Sequence, residues 1–154
     1  MSFEIKEALE NASVYVEIAN LDGLTKRSIR HGFFEMAKDL RATANKEILR
    51  RDTKTGRVYI VRSKKTGRRR RHRASAPGET HANLSGELRR SLGWIVYDWR
   101  GIEFGYGTST RKPAPPYSRF LEFGTGRMAE RPSLRNAIAI VEPRSEKYFF
   151  ERFE

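Results

Sequence analysis

Cysteine is absent from the 154 residues, so disulfides and thiolate metal sites are excluded, and any redox chemistry would need a bound cofactor. No run of about 18 consecutive apolar residues occurs, which removes any transmembrane helix candidate. The N-terminus, Met1-Ser2-Phe3-Glu4-Ile5-Lys6, carries charge where a signal peptide would carry an apolar stretch. The expectation is a soluble protein, unexported by a signal peptide and with no membrane partner. Hydrophobic residues are also scarce, at 38% against roughly 45 to 50% in globular chains by a similar residue set, while charged residues reach 32% against about 25%. The length suits a single domain over residues 1–154, but part of the chain must lie outside its core.

The most informative absence is of acid. No Asp or Glu occurs between Asp52 and Glu79, an interval that holds Lys54, Arg57, Arg62, Lys64, Lys65, Arg68, Arg69, Arg70, Arg71 and Arg73. Most of the net charge of +12 therefore resides in one segment and the remainder of the chain is nearly balanced. A concentration of this kind attracts nucleic acid or an acidic protein surface.

Hydrophobic patterning predicts the elements. Residues 14–18 alternate as a short strand with Val14, Val16 and Ile18 on one face. From Thr25 to about Arg50 the residues Ile29, Phe33, Met36, Leu40, Ala44 and Ile48 recur every three or four positions, which lines one face of a long helix. Thr53-Lys54-Thr55-Gly56 signals a turn, and Val58-Tyr59-Ile60-Val61 a strand. Residues 62–85 show neither period and read as a long extended basic loop. Ser85 is placed to cap a short helix bearing Leu88 and Leu92. Trp94 to Trp99 and Ile102 to Gly107 form a hairpin across an Arg100-Gly101 turn, with Ile102, Phe104 and Tyr106 on one face. Lys112 to Pro116 is extended by its prolines. Tyr117 to Phe123 makes a helical turn or two closed by Gly124. Pro132 opens a helix with Leu134, Ile138 and Val141 on its apolar face, and Pro143 breaks it before an aromatic tail of Tyr148, Phe149, Phe150 and Phe153.

Two stretches are specific enough to carry a resemblance. One is His72-Arg73-Ala74-Ser75-Ala76-Pro77-Gly78-Glu79 followed by Ser85-Gly86-Glu87-Leu88-Arg89-Arg90-Ser91-Leu92. The other is Tyr117-Ser118-Arg119-Phe120-Leu121-Glu122-Phe123-Gly124-Thr125 followed by Arg131-Pro132-Ser133-Leu134-Arg135-Asn136-Ala137. In order and spacing over about residues 72 to 137 they resemble the tail-completion, or minor tail, morphogenesis proteins of tailed phages. Ser85 stands where that pattern has Thr, Glu87 where it has Arg, and Ser133 where it has Phe.

The resemblance implies an α+β fold: one long N-terminal helix packed on a small antiparallel sheet, with a long basic loop and C-terminal helices. It implies a structural virion protein, made in the bacterial cytoplasm, that joins head to tail as a homo-oligomeric ring around the DNA channel. By analogy the ring is a hexamer, with a dodecamer as the alternative, and its partners are copies of itself and the neighbouring neck and tail proteins. It brings no catalytic residues and no cofactor.

The candidate binding residues are Arg62, Lys64, Lys65, Arg68, Arg69, Arg70, Arg71 and Arg73, eight like charges in twelve residues. Such a run repels itself and becomes ordered when a counter-charge is supplied, either phage DNA or an acidic neighbouring ring; the plainer reading is a solvated loop. Glu122 to Thr125 reads as structural, with Gly124 and Gly126 supplying positive φ or close approach and Arg131 available to pair with Glu122. His31, His72 and His81 do not form a metal site: His72 sits among arginines, and His81 with Glu79 offers too few ligands. No phosphate loop, nucleophile elbow or paired carboxylates occur, so an enzyme is not expected and a phage nuclease is disfavoured. The rival reading is a small basic nucleic-acid-binding protein whose charged segment orders on binding.

Overall fold

The computed structural model describes residues 3–8, 13–18, 25–50, 52–109 and 112–150, giving for 3–8 and 14–18 the backbone alone. The fold is α+β. Strands β1 (Phe3–Ala8) and β2 (Ser13–Ile18) precede helix α1 (Lys26–Leu49). Then come β3 (Val58–Arg62), β4 (Arg69–Arg73), α2 (Glu87–Ser91), β5 (Leu92–Tyr97) and β6 (Gly101–Tyr106). The chain closes with α3 (Ser118–Phe123), α4 (Leu134–Val141), a 3-10 turn at Glu142–Arg144, and α5 (Lys147–Phe150). Four strands make one antiparallel sheet in the order β1-β2-β6-β5, and β3 with β4 makes a separate two-stranded ribbon.

Helix α1 follows the predicted stripe. Ile29, Phe33, Met36, Leu40, Ala44 and Ile48 are all essentially inaccessible to solvent. Thr25 caps the start by accepting the Ser28 N–H at 3.2 Å, and Arg50 turns extended after donating to the Lys46 carbonyl. Lys54, counted with the basic segment in sequence, is instead 4% exposed and donates its Nζ to the Glu47 carbonyl at 3.1 Å. A cation is thus placed on one of the orphan carbonyls that end every helix, where the helix dipole favours it. Burial pushes its pKa down from the ordinary lysine value.

The sheet offers α1 the alternate residues of two strands: Ile102, Phe104 and Tyr106 of β6, register-paired with Val96, Trp94 and Leu92 of β5. The same core takes in Leu88, Leu134, Ala137, Ile138, Val141 and Phe149. Two expectations of strand detail change. Gly101 is paired with Tyr97 inside the ladder, so the connection is Asp98 to Arg100, with Asp98 taking positive φ (58°), a conformation Asp tolerates better than most residues. The side chains of Val14, Val16 and Ile18, expected on one face, lie outside the described residues, as does Phe153 of the tail.

The aromatic tail turns inward. Phe149 is 1% exposed and meets Phe33 edge to face at 5.3 Å. A Cβ built on Gly32 would fall 2.3 Å from the Phe149 ring, so the glycine in mid-helix is what lets α5 seat against α1. Arg144 pairs with Asp39 at 2.8 Å, and the Tyr148 hydroxyl donates to the same carboxylate. Pro143 ends α4 as expected, inside the 3-10 turn.

Candidate functional site

The basic segment expected as an extended loop is a β-hairpin. Strand β4 is Arg69-Arg70-Arg71-His72-Arg73, and it pairs residue for residue with β3 from Val58↔Arg73 to Arg62↔Arg69. The tip is closed by backbone bonds from Ser63 N–H to the Arg68 carbonyl and from Gly67 N–H to the Ser63 carbonyl, both 2.9 Å, with Gly67 at φ +67. Ser63 Oγ also accepts the Thr66 N–H. The physical reason is that the β-branched run Val58 to Val61 offers an unpaired strand edge, and the arginine backbone can satisfy it whatever its side chains are. The segment's lack of apolar periodicity hid this. The readable signal was Lys65-Thr66-Gly67, which repeats the turn triplet Lys54-Thr55-Gly56 before β3.

Pairing divides the candidate residues between two faces and a tip. Arg62, Arg69, Arg71 and Arg73 share one face with Val58 and Ile60, and all four are exposed. Arg70 shares the opposite face with Tyr59, Val61 and His72, and its Nη2 donates to the Leu84 carbonyl at 2.6 Å. Lys64, Lys65 and Arg68 occupy the exposed tip. Arg70 therefore fastens the ribbon to the body, while Arg71 and Arg73, though exposed, also line a hollow with Ile48, Leu49 and Lys54 at the end of α1.

The two motif-bearing stretches, some fifty residues apart in sequence, interlock. Gly78 N–H donates to the Glu130 carbonyl (2.9 Å), Arg131 Nε to the Ser75 carbonyl (3.1 Å), Asn136 Nδ2 to Thr80 Oγ1 (3.0 Å), and the Tyr117 hydroxyl to Glu87 (3.1 Å). Glu79 closes its own turn, accepting from Ala76 N–H and from both the backbone and hydroxyl of Thr55, and these bonds hold its carboxyl below the usual range. Beneath them lies Glu122, fully buried, whose carboxylate accepts the N–H groups of Ser133 (2.8 Å), Leu134 (3.2 Å) and Arg135 (3.1 Å). A carboxylate from α3 thus caps the start of α4, a helix with no acid in its own first turn. Burial raises its pKa, opposed by these three donors and by Arg135.

This corrects the expected Arg131 to Glu122 pair: Arg135 approaches Glu122 at 3.8 Å, and Arg131 is spent on carbonyls. Ser133, where the resembled pattern has Phe, is the hub of a buried polar chain with Tyr106 Oη, His81 Nδ1 at 3.0 Å and Glu122. Burial drives the His81 pKa down to about 4 and the Tyr106 pKa well up. Gly124 has the anticipated positive φ (73°), whereas Gly126 has neither positive φ nor a close neighbour. The residue before α2 is Gly86, also at positive φ (80°), and Ser85 Oγ accepts only the Glu87 N–H. Pro132 and Ser133 precede α4, which starts at Leu134.

His81 and Glu79 are each engaged elsewhere, and among the described residues no group of three or more His, Asp or Glu side chains could hold a metal ion. No helix among them is long and apolar enough to cross a membrane. No protein-family model, curated protein sequence or solved structure matches the chain.

Proposed function

We propose that the chain is a structural subunit of a tailed-phage neck, joining head to tail by assembling as a ring around the DNA channel. The observation that carries this reading is the interlocking of its two motif-bearing stretches: Arg131 on Ser75, Glu130 on Gly78, Asn136 on Thr80 and Tyr117 on Glu87 make them one rigid unit. Residues that specify a scaffold for assembly should look like this, engaged with one another and with helix ends. The surface also leaves large apolar side chains uncovered, among them Phe34, Ile60, Phe120, Ile140 and Phe150, each at least 39% exposed. Side chains exposed singly are ordinary on a monomer, so they serve here as the positions a neighbouring copy would cover, and contacts that close by rotation generate rings. A hexamer is the ring we favour, with a dodecamer as the alternative, at the head-tail junction of the virion.

The test is genetic and hydrodynamic. A phage lacking this chain should accumulate filled heads and finished tails that fail to join. The purified chain should form a closed ring, alone or on mixing with its neck neighbours. Normal yields of infectious particles without it would overturn the proposal. The rival, a small basic nucleic-acid-binding protein, draws support from the exposed arginine ribbon, and it predicts a monomer that binds nucleic acid without any role in joining.

A further inference from the structure

We propose that the outer face of the β3–β4 ribbon, carrying Arg62, Arg69, Arg71 and Arg73, is a binding face for the phosphate backbone of duplex DNA, indifferent to sequence. The inference deepens the neck reading by naming a partner, but it stands on the ribbon itself.

The first ground is contrast within the chain. Elsewhere Arg50 is neutralised by Glu47 and Asp52, Arg144 by Asp39 and Arg135 by Glu130. Exposed arginines without an ion pair among the described residues, such as Arg41 and Arg127, stand apart from one another in sequence, whereas the ribbon gathers four on one face. Among the described residues no carboxylate pairs with any of the four on this face, and Arg62 donates only to the Gly67 carbonyl. The second ground is self-repulsion. Arg62 stands directly opposite Arg69, with Arg71 next along the same face, and like charges across a ladder destabilise it. An isolated two-stranded ribbon is marginal in water to begin with. A polyanion converts that repulsion into binding free energy, since each neutralised phosphate releases condensed counterions.

Geometry favours DNA over an acidic protein. Alternate residues on one strand face are about 6.8 Å apart, so Arg69, Arg71 and Arg73 span about 14 Å of a duplex that carries one charge per roughly 1.7 Å of axis. A two-stranded ribbon is also a shape that a duplex groove of about 12 Å admits. The face holds no Asn, Gln or carboxylate with which adenine or cytosine edges are read; its arginines could take guanine edges, so equal binding to duplexes with and without guanine runs is what contact to phosphate alone requires. The orientation is fixed from behind by Arg70 on the Leu84 carbonyl, and Lys64, Lys65 and Arg68 extend the charge to the tip.

The experiment uses the purified full chain and short duplexes of unrelated sequence, with affinity measured by anisotropy between about 50 and 200 mM salt. Replacing all four face arginines by Ser should lower the slope of log affinity against log salt by up to about 3 to 4, equally for every sequence, with a melting temperature that is unchanged or slightly raised as the repulsion is relieved. The same four positions replaced by Lys should retain the slope, because phosphate contact needs charge and not a guanidinium fork. Arg41→Ser with Arg127→Ser, two exposed arginines off the ribbon, should change it little. The proposal is overturned if the intact chain does not bind duplex at low salt, or if the Ser variant keeps the full slope. It is also overturned if Ile60→Ser, which removes no charge, abolishes head-tail joining while the four-Ser variant joins normally, since the ribbon then docks on protein. Because DNA binding is read on the isolated chain, a chain that binds duplex yet stays monomeric even when mixed with its neck neighbours would sink the ring and leave this inference standing.

Discussion

At the scale of single residues, two positions decide more than their chemistry announces. Gly32 is a poor helix former in the middle of a 24-residue helix, and a glycine there costs about 1 kcal/mol relative to alanine. The Phe149 ring explains it, because no Cβ fits between ring and helix. Gly32→Ala should therefore destabilise the protein by about 1 to 3 kcal/mol, the usual cost of overpacking, despite the better propensity. In a Phe149→Ala background the sign should reverse, with Gly32→Ala neutral or stabilising by up to about 1 kcal/mol. Denaturant titration of the four chains checks both halves, and additive losses would mean that ring and glycine are not coupled. His81 is the second position. It is 5% exposed and held neutral, with its pKa depressed from 6.5 to about 4. The unfolded chain takes up a proton near 6.5 and the folded chain only near 4, so this group's contribution to stability is complete above about pH 6.5. It declines as the pH falls and is lost below about pH 4, amounting to about 3 kcal/mol in total. His81→Gln should lack this component, and unfolding midpoints of the two proteins across that pH range would show parallel curves if burial were not holding the imidazole neutral.

At the scale of elements, the end of α3 and the start of α4 depend on one carboxylate. Replacing Glu122 by Gln leaves an amide facing N–H donors at a buried helix start, so a loss of roughly 2 to 3 kcal/mol is expected, read from chemical denaturation. A loss below about 0.5 kcal/mol would mean that water or another group serves α4 as well. The sequence disclosed elements according to how much of their stabilisation is periodic. Helix α1 was legible from end to end because its stripe of Ile29 to Ile48 and its Thr25 cap are local signals. Strands β3, β5 and β6 were legible because their β-branched and aromatic runs are bounded by turns. Strand β4 was not, since five residues of Arg and His become a strand only through the partner that pairs with them. The role of Glu122 was equally hidden, because the helix it caps begins twelve residues later and has no acid in its own first turn. The eight basic residues are legible as a run in the sequence, but only the pairing register separates Arg70 from the face that carries Arg62, Arg69, Arg71 and Arg73.

At the scale of the whole molecule, the surfaces that hold the fold together separate from those that the proposed ring would leave for neighbours. The aromatic tail, with so many rings in a polar stretch, invites the reading of a ring contact; Phe149 against Gly32 and Phe33, with Arg144 and Tyr148 on Asp39, assigns its described part to the subunit's own core. Removing everything after Pro143 discards a buried phenylalanine, whose truncation alone costs about 3 to 5 kcal/mol, together with the Asp39 ties. Domains of this size are stable by only about 5 to 15 kcal/mol, so the truncated chain should be largely unfolded and should fail to assemble for that reason. The contrasting variant is Ile140→Ser with Phe150→Ser, which alters two side chains that are 43% and 47% exposed. That variant should melt within a few degrees of the parent, because exposed substitutions rarely exceed about 0.5 kcal/mol, yet it should weaken ring formation if this flank is covered by a neighbouring copy. Melting curves and solution mass measured on both variants separate the two roles. A folded truncation that still forms rings would show the tail to be dispensable, and an unaltered ring in the double Ser variant would move the subunit contact to another face, where Phe34 and Phe120 are the next side chains to replace.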